Sequence, residues 1–132
     1  MKTLQKTSFA VRLGGIFLGL VCLVFLPSNI PMDKDGEEVE VSGEVLDLSC
    51  YMASGAKGEG HKECAASCIN NGMPIGLLGA DGKVYLLIED HKNKEPYQQL
   101  KKHAAEQVAV SGKFFEREGM PAIVIGKVQA KS

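Results

Sequence analysis

Hydrophobic and polar positions alternate through most of the chain after residue 38 and break into short blocks separated by turn residues. Val39, Val41, Val45 and Leu48 mark a first strand with Gly43 at its centre, where a bulge or bend is expected. Residues 74–80 (PIGLLGA) and 83–90 (KVYLLIED) form a second and a third strand, joined at Asp81-Gly82, a dipeptide that favours a two-residue hairpin turn. Residues 96–107 predict a helix, with Pro96 in its first turn and Tyr97, Leu100 and Ala104 at helical spacing. Residues 108–115 (VAVSGKFF) and 121–128 (PAIVIGKV) are the fourth and fifth strands, with a turn over 116–119. The blocks VEVSGEV at 39–45 and VAVSGKF at 108–114 echo each other. So short an echo reports a shared mechanical need, a strand that coils sharply at its central Gly to close a small barrel.

The resulting order, three strands, one helix, two strands, resembles the OB-fold, a five-stranded Greek-key barrel with its helix between the third and fourth strands. The resemblance spans residues 39–130 and rests on element order and on the two Val-Ser-Gly bends. It implies an all-β fold with a short helix and leaves function open. A small β-sandwich would use similar strands and turns.

Residues 1–38 follow another pattern. Lys2, Lys6 and Arg12 precede an apolar run from Leu13 to Leu26, and residues 1–32 contain no acid. A basic leader followed by about 14 apolar residues matches a secretory signal and falls short of a comfortable membrane span. Residues 1–32 are therefore expected to act as a signal peptide or signal anchor. An uncleaved segment would tether the protein to the membrane. The polar stretch 33–38 is a linker. Basic residues stay cytoplasmic, which places the domain in the periplasm or on the outer face of the cytoplasmic membrane.

Composition narrows the function classes. A formal net charge of −1 over 132 residues gives no field to attract nucleic acid, and the absence of Trp leaves no broad stacking platform. No Ser-His-Asp set, paired catalytic carboxylates or HExxH pattern occurs, so an enzyme is not the expectation. Four Cys are too few for a disulfide-dense mini-protein.

The chemistry concentrates between the first two strands. Residues 49–72 form an excursion poor in apolar residues, with Cys50, His61, Cys64 and Cys68. A connection that long is usually functional or disordered. It also lies where an OB-fold carries one of its binding loops. Its second half predicts a short helix ending at Asn71-Gly72. At about 100° per residue, His61, Cys64 and Cys68 fall within an arc of about 60°. If that helix folds back over the end of the first strand, where Cys50 sits, three thiols and one imidazole converge. A Cys₃His set suits tetrahedral Zn²⁺, and CxxxC with a nearby His also suits Cu(I). Cys64 and Cys68 share their CxxxC spacing with Sco-type copper chaperones and the copper site of oxidase subunit II. The His here lies upstream, unlike in those families, so the resemblance stops at those two residues.

Three other chemistries fit the same residues: a disulfide from Cys50 to Cys64 or Cys68, a redox thiol pair, and plain packing of small side chains. The odd Cys count of the exported part favours metal over a disulfide. Met52 and Met73 flank the cluster as soft donors or hydrophobic filler, and Asp47 could orient His61. His91 and His103 have no spaced partners and read as surface residues. The expected function is an exported metal-binding domain (Zn or Cu), serving metal handling or redox-protein assembly in the cell envelope with an envelope protein as partner. The alternative is a non-catalytic module that binds an oligosaccharide, peptide or protein and uses the cysteines as a structural disulfide.

Overall fold

The computed structural model describes residues 36–131. The signal or anchor expected over 1–32 lies outside the described residues, as does the first half of the linker, 33–35. Five strands close into a barrel in the order β1-β2-β3-β5-β4, returning to β1. They are β1 (Glu37–Asp47), β2 (Ile75–Gly79), β3 (Val84–Ile88), β4 (Gln107–Arg117) and β5 (Met120–Ala130). All pairings are antiparallel except β3 with β5, where Leu86–Ile88 run parallel to Ala122–Val124. This is the OB-fold-like architecture expected from the element order. No described helix is long and apolar enough to cross a membrane.

Closure depends on the two Val-Ser-Gly bends. Gly43 is paired on both sides, with Gly79 of β2 and Val108 of β4, and marks where β1 passes from one neighbour to the other. A Cβ there would collide with the carbonyl oxygen of Leu78. In β4 the register against β5 shifts between Ser111 and Gly112, and a Cβ on Gly112 would collide with the carbonyl oxygen of Val124. Both glycines let two backbones approach where a coiled strand must turn.

Two expectations are corrected. The β2–β3 loop is not a two-residue turn. The Gly82 N–H donates to the Gly79 carbonyl and the Gly79 N–H to the Lys83 carbonyl, both at 2.9 Å, with Gly82 at φ 79°. These bonds define a three-residue loop, a tight turn followed by a left-handed residue. The helix over 96–107 is also shorter than its periodicity suggests. Helix α3 spans Glu95–Leu100 and continues only as a 3₁₀ turn to His103. Ala105 then takes φ 57° and donates to the Val45 carbonyl at 2.9 Å, while the Val45 N–H donates to the Glu106 carbonyl at 3.0 Å. Pairing with β1 replaces the last helical turn.

The core is continuous. Val45, Ile75, Leu77, Leu87, Val108, Val110, Ile123 and Ile125 fill the barrel, and Leu100 and Ala104 join from the α3 segment. Ala65 and Ile69, from within the excursion, belong to this same core.

Candidate metal centre

The excursion folds into two short helices joined by a 3₁₀ turn. Helix α1 (Leu48–Ser54) follows β1 without a gap, and Glu59–His61 form the turn that leads into α2 (Lys62–Asn70). Asp47, the last residue of β1, starts α1 as its N-cap. Its carboxylate accepts from the Ser49 amide at 3.0 Å and from the Cys50 amide at 3.3 Å. The residue expected at the end of a strand, Cys50, therefore sits in the first turn of a helix. Asp47 is only 1 % exposed and is the one buried charged residue among those described.

Helix α2 docks by burying Ala65 and Ile69, and this presents Cys64 and Cys68 near α1. The Sγ atoms of Cys50, Cys64 and Cys68 lie within 4.8 Å of one another, and all three are free thiols. Cys50 and Cys68 are half-buried, and Cys64 is exposed. A second group shares Cys50: its sulfur, a ring nitrogen of His61 and a carboxylate oxygen of Asp47 also lie within 4.8 Å of one another. The Nε2 atom of His61 is buried and has no hydrogen-bond partner.

His61 thus belongs beside Cys50 and Asp47, not in line with Cys64 and Cys68. The reason is local. His61 ends the 3₁₀ turn with φ −108° and ψ −2°, so the helical rotation of 100° per residue does not extend back to it. Asp47 also acts differently from expectation. Its carboxylate caps α1 through the Ser49 and Cys50 amides and lies within 4.8 Å of both the Cys50 sulfur and a ring nitrogen of His61.

These contacts set the protonation of the site. Burial pushes the Asp47 carboxyl up, but hydrogen bonds from the Cys50 thiol, the Ser49 and Cys50 amides and the Cys68 thiol outweigh it and leave it below 3.8. Donation to Asp47, then burial, pushes the Cys50 thiol up to about 12. Cys68 is raised as well, first by burial and then by its bond to Asp47. Both sulfurs are protonated at neutral pH unless a cation displaces the proton.

The donor set fits a soft ion. Three sulfurs from two helices converge, and His61, which has a ring nitrogen within 4.8 Å of the Cys50 sulfur, carries a buried Nε2 without a partner. Tetrahedral ligation by thiolates at about 2.3 Å places sulfurs about 3.5–4 Å apart, within reach of small side-chain rotations here. Met73 donates its amide to the Cys68 carbonyl at 3.1 Å and is exposed. Met52 is also exposed and lines a groove of about 390 Å³ with Leu48, Val84, Leu86, Met120 and Pro121.

Two features escaped the sequence. One is that apolar groove, whose residues come from three separate stretches. The other is a polar link between α2 and the segment before β4. Lys62 Nζ reaches Glu106 at 2.9 Å, and Glu106 pairs with His103 Nδ1 at 2.8 Å. His103 is therefore tied to the support of α2. The capping role of Asp47 was detectable, since Asp directly before a helical segment is a preferred N-cap. Comparison of the chain with protein-family models, with curated proteins and with solved structures finds no match.

Proposed function

We propose that the domain binds one soft metal ion, Zn²⁺ or Cu(I), through Cys50, Cys64 and Cys68, with His61 as the fourth ligand. One observation carries this: thiols from helices separated by the 3₁₀ turn meet within 4.8 Å beside a buried, unpartnered imidazole nitrogen. Thiolates bind such ions strongly, and binding would give the orphaned Nε2 a partner. For His61 to join, its imidazole, already within 4.8 Å of the Cys50 sulfur, would turn toward the ion. With a basic, apolar leader at 1–32, the domain would work in the periplasm or on the outer membrane face, in metal handling or redox-protein assembly with an envelope protein.

Elemental analysis of protein purified without metal supplements should give close to one ion per chain. Thiol counting under denaturing, non-reducing conditions, after the metal is removed, should give three reactive thiols in a chain lacking the leader. One thiol and no metal would support the other function class instead, a binding module stapled by a disulfide. The apolar groove beside α1 is the feature that favours that second class.

A further inference from the structure

The excursion is attached to the barrel by means that need no ion. Ala65 and Ile69 of α2 are 1 % and 0 % exposed and pack in the barrel's own core. The start of α1 is capped by Asp47 and tied down by the Leu48 N–H, which donates to the Pro74 carbonyl at 3.0 Å. Between the helices, the Gly58 amide donates to the Glu44 carboxylate, and Lys62 bridges to Glu106. Structural metals are required where ligand-bearing loops have no core of their own, and there the metal-free chain unfolds. Here the loop borrows a core from the barrel.

The three sulfurs also differ in access. Cys50 and Cys68 are half-buried, and Cys50 lies within 4.8 Å of the buried Asp47 carboxylate. Cys64 is exposed. A cluster with one exposed cysteine beside two half-buried ones suits exchange by an incoming ligand at the exposed edge.

We infer, on the basis of the metal-binding reading above, that the ion is exchangeable cargo handed over at the Cys64 edge to an acceptor presenting thiolate ligands, and is not a staple the fold requires. In the first exchange, an acceptor thiol loses its proton and its sulfur bonds to the ion. The bond from the ion to Cys64 breaks, and Cys64 takes up that proton. No electron moves, and the ion keeps its oxidation state. Cys50 and Cys68 hold the ion until further acceptor thiols displace them.

The test uses the full chain loaded separately with Zn²⁺ and with Cu(I) under anaerobic conditions. Native mass spectrometry follows transfer to a synthetic dithiol peptide. The expected transfer rate rises with dithiol concentration, and the metal-stripped chain still melts cooperatively with its native circular dichroism. In the loaded protein, a limiting alkylating reagent should modify Cys64 at least about tenfold faster than Cys50 or Cys68. Unfolding on metal removal, a rate independent of dithiol, or earlier alkylation of Cys50 or Cys68 overturns the inference while leaving metal binding intact. Retention of neither ion removes the metal-binding reading itself, and the inference with it.

Discussion

The carboxylate of Asp47 acts on Cys50 twice: it accepts from the Cys50 amide at 3.3 Å, and an oxygen within 4.8 Å of the Cys50 sulfur favours the protonated thiol. One buried group therefore fixes the start of helix α1 and the protonation of the sulfur that both donor groups share. The two roles separate by substitution. Asn caps helices about as well as Asp, so Asp47→Asn should keep α1 while removing the charge that raises the thiol. Thiolate absorbance near about 240 nm should then show Cys50 titrating well below its value of about 12, back toward the ordinary 9.0. Asp47→Ala loses the cap as well and should cost about 1–2 kcal/mol in denaturant unfolding. An unchanged thiol titration in the Asn variant would show that the carboxylate does not control Cys50.

The pH dependence of the metal-free protein follows from the same contacts. Asp47 is held below 3.8, and Glu106 is held below 4.5 by its bond to His103 and then by Lys62. The stability these two contribute is fully present above those ordinary values and is lost as pH falls through the lowered folded ones. Cys50 runs the other way. Its folded value is raised from 9.0 to about 12, so its contribution is present below 9.0 and is lost as pH climbs toward 12. Denaturant midpoints should form a plateau between about pH 5 and pH 9 and fall on both sides. Metal affinity should rise with pH through the neutral range, because the thiol protons must leave. Calorimetry in buffers of different ionisation enthalpy should report protons released on binding at neutral pH, those of Cys50 and Cys68 among them.

The barrel and its cysteine cluster differ in how much of them the sequence discloses. The strands carry their own pattern: Val39, Val41 and Val45 alternate, and the two Val-Ser-Gly blocks reveal where β1 and β4 must coil. The strand pattern stops at Asp47, which turns the chain into a helix before Cys50 is reached, and a cap depends on one side chain, not on a period. An α-helical rotation carried back from Cys64 misplaces His61, because the backbone there is 3₁₀. The sparse apolar content of residues 49–72 reads as a connection with no core of its own. Ala65 and Ile69 instead pack against residues far along the chain, which no local window shows. The Lys62–Glu106 bridge is invisible for the same reason.

The role assigned to the paired glycines can be measured against an internal control. A Cβ at Gly43 or Gly112 meets a backbone carbonyl too closely to be accommodated by side-chain movement, whereas a Cβ at Gly126 finds its nearest neighbour, the Ser111 carbonyl oxygen, at 3.6 Å. Gly43→Ala and Gly112→Ala should each cost about 1–3 kcal/mol, or prevent folding, through forced separation of paired strands. Gly126→Ala should be close to neutral or slightly stabilising. Equal effects at all three positions would mean that the bends tolerate a side chain and that closure has another cause.

The dependence of the metal centre on the barrel is most directly probed at Ile69. Its side chain is 0 % exposed, adjoins Cys68 in sequence, and joins α2 to the core. Ile69→Ala leaves a cavity under the helix and should cost about 2–4 kcal/mol. Removing that anchor also frees α2 to shift relative to α1, which spreads Cys64 and Cys68 away from Cys50. The folded variant should therefore bind Zn²⁺ or Cu(I) more weakly than the wild type, even though every ligand is present. Ile88→Ala, at a position 38 % exposed on β3, is the matched control and should change neither stability nor affinity appreciably. Should Ile69→Ala lower stability while the folded fraction binds metal with unchanged affinity, the three sulfurs would be held by the excursion alone, and the barrel would serve only as a support.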